Sequence, residues 1–527
     1  MKKRFFLVLL MSCFALFTSA SNYLTFTAEV DKSSFRIKNM GSNNLNVEYS
    51  LDDGETWTLL ETDIEGDSKY VSLKRGDKVL LRGNNPDGFS KNDSKYSCFN
   101  MKGKIAASGS VMSLIDGIGE SKTIPCAFCF SHLFLNCESL TQAPELTATK
   151  LAEFCYQDMF DYCTSLTQAP ELPATELDEW CYTRMFANCT SLTQGPTELP
   201  ATKLAKKCYE YMFHLCTSLN QAPALPATEL ADNCYSGMFD QCTSLTQAPK
   251  LPAMELAYEC YYFMFSGCTS LTQAPALPAT KLANSCYNGM FEDCTSLTQA
   301  PELPAMELID FCYFCMFKGC ISLSKAPTLP ATKLTFGCYE EMFEGCTSLT
   351  QAPELPATEL VAYCYKEMFE GCTSLTQAPE LPATELVEGC YTSMFQGCEN
   401  LQTIKVGFEF WRNGRTNSWV KDIAPTGTFY CPKELPLEYG ENRIPEGWTV
   451  EYIDESTAVA EYVSDASFKA WGADGKITYI GATMPVRIYD LGGKLVKEVK
   501  GETQSVSVPQ HGTYVVKSGT VSVKVEL

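Results

Sequence analysis

Histidine is nearly missing from this chain: His132, His214 and His511 are all there is in 527 residues. A Cys-His nucleophile pair needs an imidazole held beside one particular thiol. No histidine recurs alongside the chain's many cysteines, so the sequence reads as non-enzymatic. Basic residues are outnumbered, 41 Lys and Arg against 63 Asp and Glu, giving a net charge of −22. Nucleic acid demands a basic stripe to displace phosphate counterions, and none is visible; an anionic membrane surface is an equally poor partner. Beyond the first twenty residues no apolar run reaches the length of a membrane span. Closely spaced cysteine pairs of the zinc-binding kind are also scarce. The recurring gap is seven residues, and Cys312-x-x-Cys315 has no second pair beside it. No metal and no other cofactor is expected.

What is abundant is repetition. The phrase Cys-Tyr-x-x-Met-Phe-x-x-Cys-Thr-Ser-Leu-Thr-Gln-Ala-Pro-x-Leu-Pro-Ala-Thr-Glu/Lys-Leu recurs, with variations, between Cys129 and Cys398. Its second cysteine falls at Cys137, Cys163, Cys189, Cys216 and onward to Cys398, every 26 residues except for one step of 27, where Thr197 is extra. A fixed period of this size marks a solenoid, in which each unit buries its apolar face only against its neighbours. About eleven 26-residue repeats are expected, in an α/β solenoid flanked by β-sandwich-like domains.

The boundaries follow from where the period starts and stops. Residues 1–20 read as a signal peptide: Lys2, Lys3 and Arg4 precede an apolar stretch from Phe5 to Phe17 and a small-residue cleavage site at Thr18-Ser19-Ala20. Acylation at Cys13 is the alternative use of this segment. Residues 21–122 read as an N-terminal β domain, with alternating runs such as Tyr23-Leu-Thr-Phe-Thr and Phe35-Arg-Ile-Lys between Gly, Asn and Asp clusters. Within it Ser50-x-Asp52-x-Gly54-x-x-Trp57 resembles an Asp box, a hairpin turn held by Asp hydrogen bonds over a packed Trp. Residues 123–400 are the repeats. Residues 401–455, with Trp411, Trp419 and Trp448, are the natural cap for the last apolar face. Residues 456–527 return to β alternation, with a hairpin turn at Gly492-Gly493.

Within one unit, Cys181, Met185 and Cys189 are spaced i, i+4, i+8, and Tyr182 and Phe186 are spaced i, i+4. This spacing predicts two turns of helix with one apolar face. Leu166, Ala169, Leu172 and Leu177 are the other inward positions. Pro170 and Pro173 cannot sit inside a paired strand, which confines the strand to roughly Ser165 to Ala169. Stacked copies would form a parallel ladder with about 4.8 Å per step, and thicker helices outside would make the stack curve. Charges before each inward Leu run Lys150, Glu176, Lys203, Glu229, Glu255, Lys281 and onward, alternating at most steps; cross-coil pairs of this kind support stacking. The paired repeat cysteines are either buried thiols or disulfides, the latter between neighbouring coils or across a break after Phe186. An unbroken helix would hold Cys181 and Cys189 about 12 Å apart, beyond bonding reach.

The Leu-x-x-Ala-Pro-x-Leu-Pro run followed by Met-Phe-x-x-Cys resembles the BspA-like leucine-rich repeats of bacterial surface proteins, over roughly residues 126–404. This version is about three residues longer per unit and carries Ala where that family prefers a larger apolar residue. The resemblance implies a right-handed horseshoe or rod, exported to a bacterial cell surface or beyond. It also implies adhesion to host or bacterial surface proteins, and it carries no fixed ligand motif. The tail, Tyr489-Asp-Leu-Gly-Gly-Lys-Leu-Val-Lys with Gly512-Thr-Tyr-Val-Val-Lys, is similar to type IX secretion sorting domains, although their Tyr-Pro-Asn-Pro-like opening is absent.

Two sets of residues are candidates for a ligand face. One is a uniform polar ladder at Gln168, Gln194, Gln247, Gln273, Gln299, Gln351 and Gln377, each after Thr. Such a face suits either a repetitive glycan held by many equal contacts, as in a nutrient-capture system at the cell surface, or a solvated spacer. The other lies where the repeats vary, before and inside the expected helix, and includes Trp180, Tyr258 and Tyr363. Aromatics exposed there suit a protein contact.

Overall fold

In the computed structural model the described residues are 22–61, 66–453, 469–473, 476–480, 485–490, 495–499, 504–508, 513–518 and 521–526. The signal segment with Cys13, the Gly492-Gly493 turn and His511 lie outside them. The chain divides into two compact units, residues 1–451 and 452–527.

The first unit opens with two sheets. Their strands are β1 (Leu24–Ala28), β2 (Ser33–Asn39), β3 (Val47–Ser50), β4 (Thr58–Leu59), β5 (Val71–Leu73), β6 (Lys78–Gly83), β7 (Ser90–Asn92), β8 (Lys95–Lys102) and β9 (Ile105–Ser108). Alternation places Leu24, Phe26 and Ala28 of β1 in the core. One sheet runs β9-β1-β6-β3-β4 and the other β5-β2-β8-β7. Between β3 and β4 the Asp-box residues form the turn. The Gly54 amide donates to Ser50 Oγ (2.8 Å) and the Thr56 amide to Asp52 Oδ1 (2.9 Å). Hydrogen bonds from the Thr56 and Ser50 hydroxyls hold the Asp52 carboxyl down at about 2. The guanidinium of Arg82 caps the Trp57 ring at 4.0 Å.

Strand β10 (Leu140–Gln142) belongs to the first coil of the repeat region and pairs in parallel with β9. The two sheets and the coils therefore share one continuous core. Further on, β11 (Gln377–Leu381), β12 (Thr403–Val406), β13 (Thr428–Cys431) and β14 (Thr449–Tyr452) form a second column. In it β11 pairs with β12, and β12 with β13, in parallel. Between these ends, neighbouring coils meet at single parallel bridges such as Gln168 with Gln194 and Lys203 with Glu229.

The expected helices do not form, and the α/β assignment is corrected. Among the described residues the helix content is the single turn α1 (Ser113–Asp116). Residues 260–268 show what replaces it. The amides of Cys260, Tyr262, Met264, Ser266 and Cys268 each donate three residues back, at 3.1–3.3 Å, closing successive turns. The intervening amides of Tyr261, Phe263, Phe265 and Gly267 donate to the next coil, at Cys286, Asn288, Met290 and Glu292, at 2.8–3.1 Å. Every second N–H thus stays in the coil and every second one crosses, so this stretch leaves none without a partner. Positive φ returns every fourth residue, at Glu259, Phe263 and Gly267. The i, i+4, i+8 spacing is therefore that of a ribbon of four-residue turns. Coil separation decides the matter. The buried Phe and Tyr rings of adjacent coils lie 5.3–6.2 Å apart, whereas packed helices need 8–10 Å. With no thick helical side, the reason given for curvature disappears.

Two columns of aromatic rings run through the core. From Phe134 through Phe265 to Phe395 the rings stack within 9° of parallel at 5.3–5.9 Å. Beside them Phe130, Tyr156, Tyr182 and onward to Tyr391 form the second column. Phe99 of β8 stacks on Phe134 at one end (5.2 Å). At the other end the buried ring of Trp419 meets both Tyr391 (6.4 Å) and Phe395 (6.2 Å).

The cysteines add a third column, and they are free thiols among the described residues. Cys268 Sγ donates to the carbonyl of Phe239 (3.2 Å), and Cys294 Sγ to that of Phe265 (3.1 Å), a bond repeated along the stack. Burial pushes the thiols up, Cys155 and Cys234 to about 12.

The second unit has strands β15 (Lys469–Ala473), β16 (Lys476–Ile480), β17 (Val486–Asp490), β18 (Leu495–Val499), β19 (Gln504–Ser507), β20 (Thr513–Ser518) and β21 (Val521–Glu526). They form sheets β15-β16-β19 and β18-β17-β20-β21 around Ile477, Tyr479, Val486, Ile488 and Val516.

Two substitutions test this core. Trp419→Ala removes the common end of both ring columns and is expected to cost about 3–5 kcal/mol, read by denaturant unfolding; a loss below ~1 kcal/mol would contradict the capping role. The buried Tyr235 hydroxyl has no hydrogen-bond partner, so Tyr235→Phe removes a desolvated polar group and is expected to stabilise by about 1 kcal/mol. Destabilisation by the same measurement would contradict that.

Candidate ligand faces

All seven glutamines of the predicted ladder are exposed. They occupy one column, continued by Gln221, where Asn220 replaces the usual Thr, and interrupted by Lys325, which bridges to Gln351. Neither residue sits in the recurring pair Thr-Gln, so the register of the coils, not the repeat phrase, places both in the column. Some of the threonines are engaged across coils. Thr193 Oγ1 donates to the Thr167 carbonyl (3.0 Å), and Thr298 Oγ1 to that of Thr272 (3.4 Å). The Gln carboxamides face outward, and Gln194 Nε2 reaches Gln221 Oε1 at 3.4 Å.

Trp180, Tyr258 and Tyr363 fall in a different part of each coil, just before the first cysteine, and the structure does not bring them together. Trp180 is half-buried, stacked on Phe154 (5.4 Å) with Lys207 Nζ over its other side (4.1 Å). Tyr258 is 46% exposed. Tyr363 packs edge-on against Phe336 (5.4 Å), which packs against Phe311 (5.2 Å), and its hydroxyl reaches Glu388 (3.1 Å). Phe336 is 38% exposed, so this cluster presents apolar surface.

Between the sealed Cys-Tyr and Met-Phe pairs, the variable residues meet their counterparts on adjacent coils. Arg184 bridges Asp158 (2.8 Å) and Asp161 (3.2 Å). Lys318 bridges Glu341 (2.7 Å) and Glu344 (2.8 Å), and Lys366 pairs with Glu340 (2.9 Å). Glu341, Glu344 and Glu367 converge closely enough to resemble a cation site. Lys318 and Lys366 already supply the positive charge there, so the cluster reads as an ion-pair network. The Lys and Glu residues before each inward Leu also face one another, as in Lys150 with Glu176 (3.7 Å) and Lys203 with Glu229 (3.6 Å). Being exposed, such pairs contribute a few tenths of a kcal/mol.

One constellation has the look of catalysis. Ser131 Oγ lies 2.7 Å from His132 Nδ1, and His132 Nε2 lies 3.6 Å from Asp158. Ser131 is fully buried, His132 is stacked on Tyr96 (4.5 Å), and Asp158 is committed to Arg184. No substrate reaches that hydroxyl. His214 pairs with Asp240 (3.0 Å). Cys126-Ala-Phe-Cys129 is a second close cysteine pair, masked in the sequence by the regular gap of seven.

A sequence profile described as BspA type leucine rich repeat region matches in six copies, over residues 130–246, 206–349 and 291–412, together more than half the chain. No curated protein matches it.

Burial, then repulsion from Asp293, raises the Glu292 carboxyl to about 7, with Lys318 opposing and Glu341 and Glu344 adding to the rise. A folded-state value above the unfolded one means stability is fully present below about pH 4.5 and is lost as pH rises through about 7. Thermal midpoints should therefore fall between pH 5 and 8, and Glu292→Gln should make that fall shallower. An unchanged slope would contradict the assignment.

Proposed function

The chain belongs to the BspA-type leucine-rich repeat family, and from that premise we propose that it is an exported surface scaffold that binds proteins, in adhesion to host or neighbouring bacterial surfaces. The observation that carries this reading is the division of labour within each coil. The recurring Leu, Tyr, Met, Phe and Cys are sealed in a rigid stack, and much of the variation falls on the turn edge, where Tyr258 and Phe336 are exposed beside the half-buried Tyr363. Exposed aromatics on a preorganised surface make effective contact anchors. Export rests on the basic-then-apolar pattern of Lys2 to Ala20. Among the described residues no helix is long and apolar enough to cross a membrane. The reading is non-enzymatic, supported by the burial of Ser131 and by thiols that burial holds in the unreactive protonated form.

A second reading, glycan binding for nutrient capture, is favoured by the exposed Gln column, since evenly spaced identical groups suit a repetitive polymer. Binding of the full chain to immobilised extracellular-matrix proteins and to polysaccharides separates the two. The scaffold reading expects protein binding that weakens at least tenfold in Tyr258→Ala/Phe336→Ala/Tyr363→Ala and survives Gln247→Ala/Gln273→Ala/Gln299→Ala. Polysaccharide binding with the opposite sensitivity would replace it.

A further inference from the structure

Among the described cysteines, Cys126 is the one that is not buried. It occupies the position that Ala152 fills in the next coil, three residues before the first repeat cysteine. There the Cys155 amide closes a turn on the Ala152 carbonyl (3.2 Å). In the first coil Phe128 has φ 56°, the positive value required at the third residue of a type II turn. Residues 126 and 129 are the ends of that turn. Turn ends lie within about 7 Å of one another, a range that overlaps the Cα separation of a disulfide. Cys126 Sγ and Cys129 Cα lie 2.9 Å and 2.7 Å from one point beside Gly88, so the two side chains are neighbours. The thiols of the second repeat cysteines differ, since each donates to a backbone carbonyl, of Phe99 in β8 for Cys137 and of the preceding coil for those that follow.

The pair also sits under a seam. Gly88, in the loop before β7, packs directly on it: a Cβ there would lie 2.7 Å from Cys129 Cα and 2.9 Å from Cys126 Sγ, and φ is +72°. The Phe89 amide donates to the Cys129 carbonyl (2.7 Å). This loop from the N-terminal sheets is thus seated on the turn that carries both sulfurs.

We propose that Cys126 and Cys129 are a redox-active dithiol, oxidised to an intramolecular disulfide by a small disulfide such as oxidised glutathione. The half-buried Cys126 thiolate attacks one glutathione sulfur; the glutathione disulfide breaks, and the leaving thiolate takes up the proton Cys126 released. Cys129 is buried, and burial raises its thiol well above the usual range; only the adjacent Cys126 Sγ is within its reach, and its sulfur attacks there and expels the second glutathione, which takes the Cys129 proton. Two protein thiols lose two electrons in total, and one disulfide becomes two thiols. The product ties the first coil's turn shut beneath Gly88. The assignment is independent of what the protein binds.

The test treats the folded full chain with oxidised glutathione, alkylates it with iodoacetamide, unfolds it, and alkylates again with an isotopically heavy reagent before peptide mass spectrometry. The expected peptide containing Cys126 and Cys129 carries neither label and is lighter by two hydrogens, while Cys155 and Cys163 carry only the heavy label. In Cys126→Ala, which places there the residue found in the next coil, Cys129 carries the heavy label. Label on both cysteines of the native sequence, or glutathione remaining on Cys126, would overturn the proposal.

Discussion

The backbone hydrogen bond that crosses from one coil to the next is the constraint from which the rest of this structure follows. Alternate amides must find a carbonyl on the neighbouring coil, as Tyr261 does at Cys286 and Phe265 at Met290. That requirement fixes the coil separation and leaves no room for a helix on any side of the coil. It also puts identical side chains directly above one another. Identical aromatics stack offset and parallel at this distance, so a repeat that keeps Tyr and Phe in place builds two continuous ring columns without further specification. An isolated coil would leave its crossing amides and its Leu, Met and Phe without partners, which makes stability a property of the array.

The same constraint accounts for the cysteines. A small, weakly polar side chain fits where neighbouring coils approach closely, and the Sγ of Cys268 or Cys294 finds an acceptor in the Phe carbonyl of the preceding coil. In an oxidising compartment, where the proposed export would place this chain, thiols ordinarily pair. Here burial keeps nearly all of them protonated and out of reach, which makes the half-buried Cys126 an exception.

Much of this was legible in the sequence. The 26-residue period gave the stacking, and the 0% exposure of Leu166, Met185 and Phe186 matches their inward assignment. Opposite charges at Lys150 and Glu176 meet where the ladder argument put them. The helix was misread because i, i+4, i+8 over nine residues fits both a helix of 3.6 residues per turn and a ribbon of four-residue turns. So short a segment cannot show the drift between them. The pairing Cys-Tyr, Met-Phe, with two variable residues between, is the ribbon's own signature. The ligand faces were half legible. The Gln column follows from repetition alone, but the meeting of Phe311, Phe336 and Tyr363 depends on cross-coil register, and the Ser131–His132–Asp158 row depends on a neighbouring coil as well.

The most direct test of the stacked-turn account is the helix content of the purified full chain by far-ultraviolet circular dichroism. The account predicts no helical signal from the repeats, residues 123–400, whose described residues hold turns and strands and no helix. A signal corresponding to two helical turns in every 26-residue repeat would contradict it.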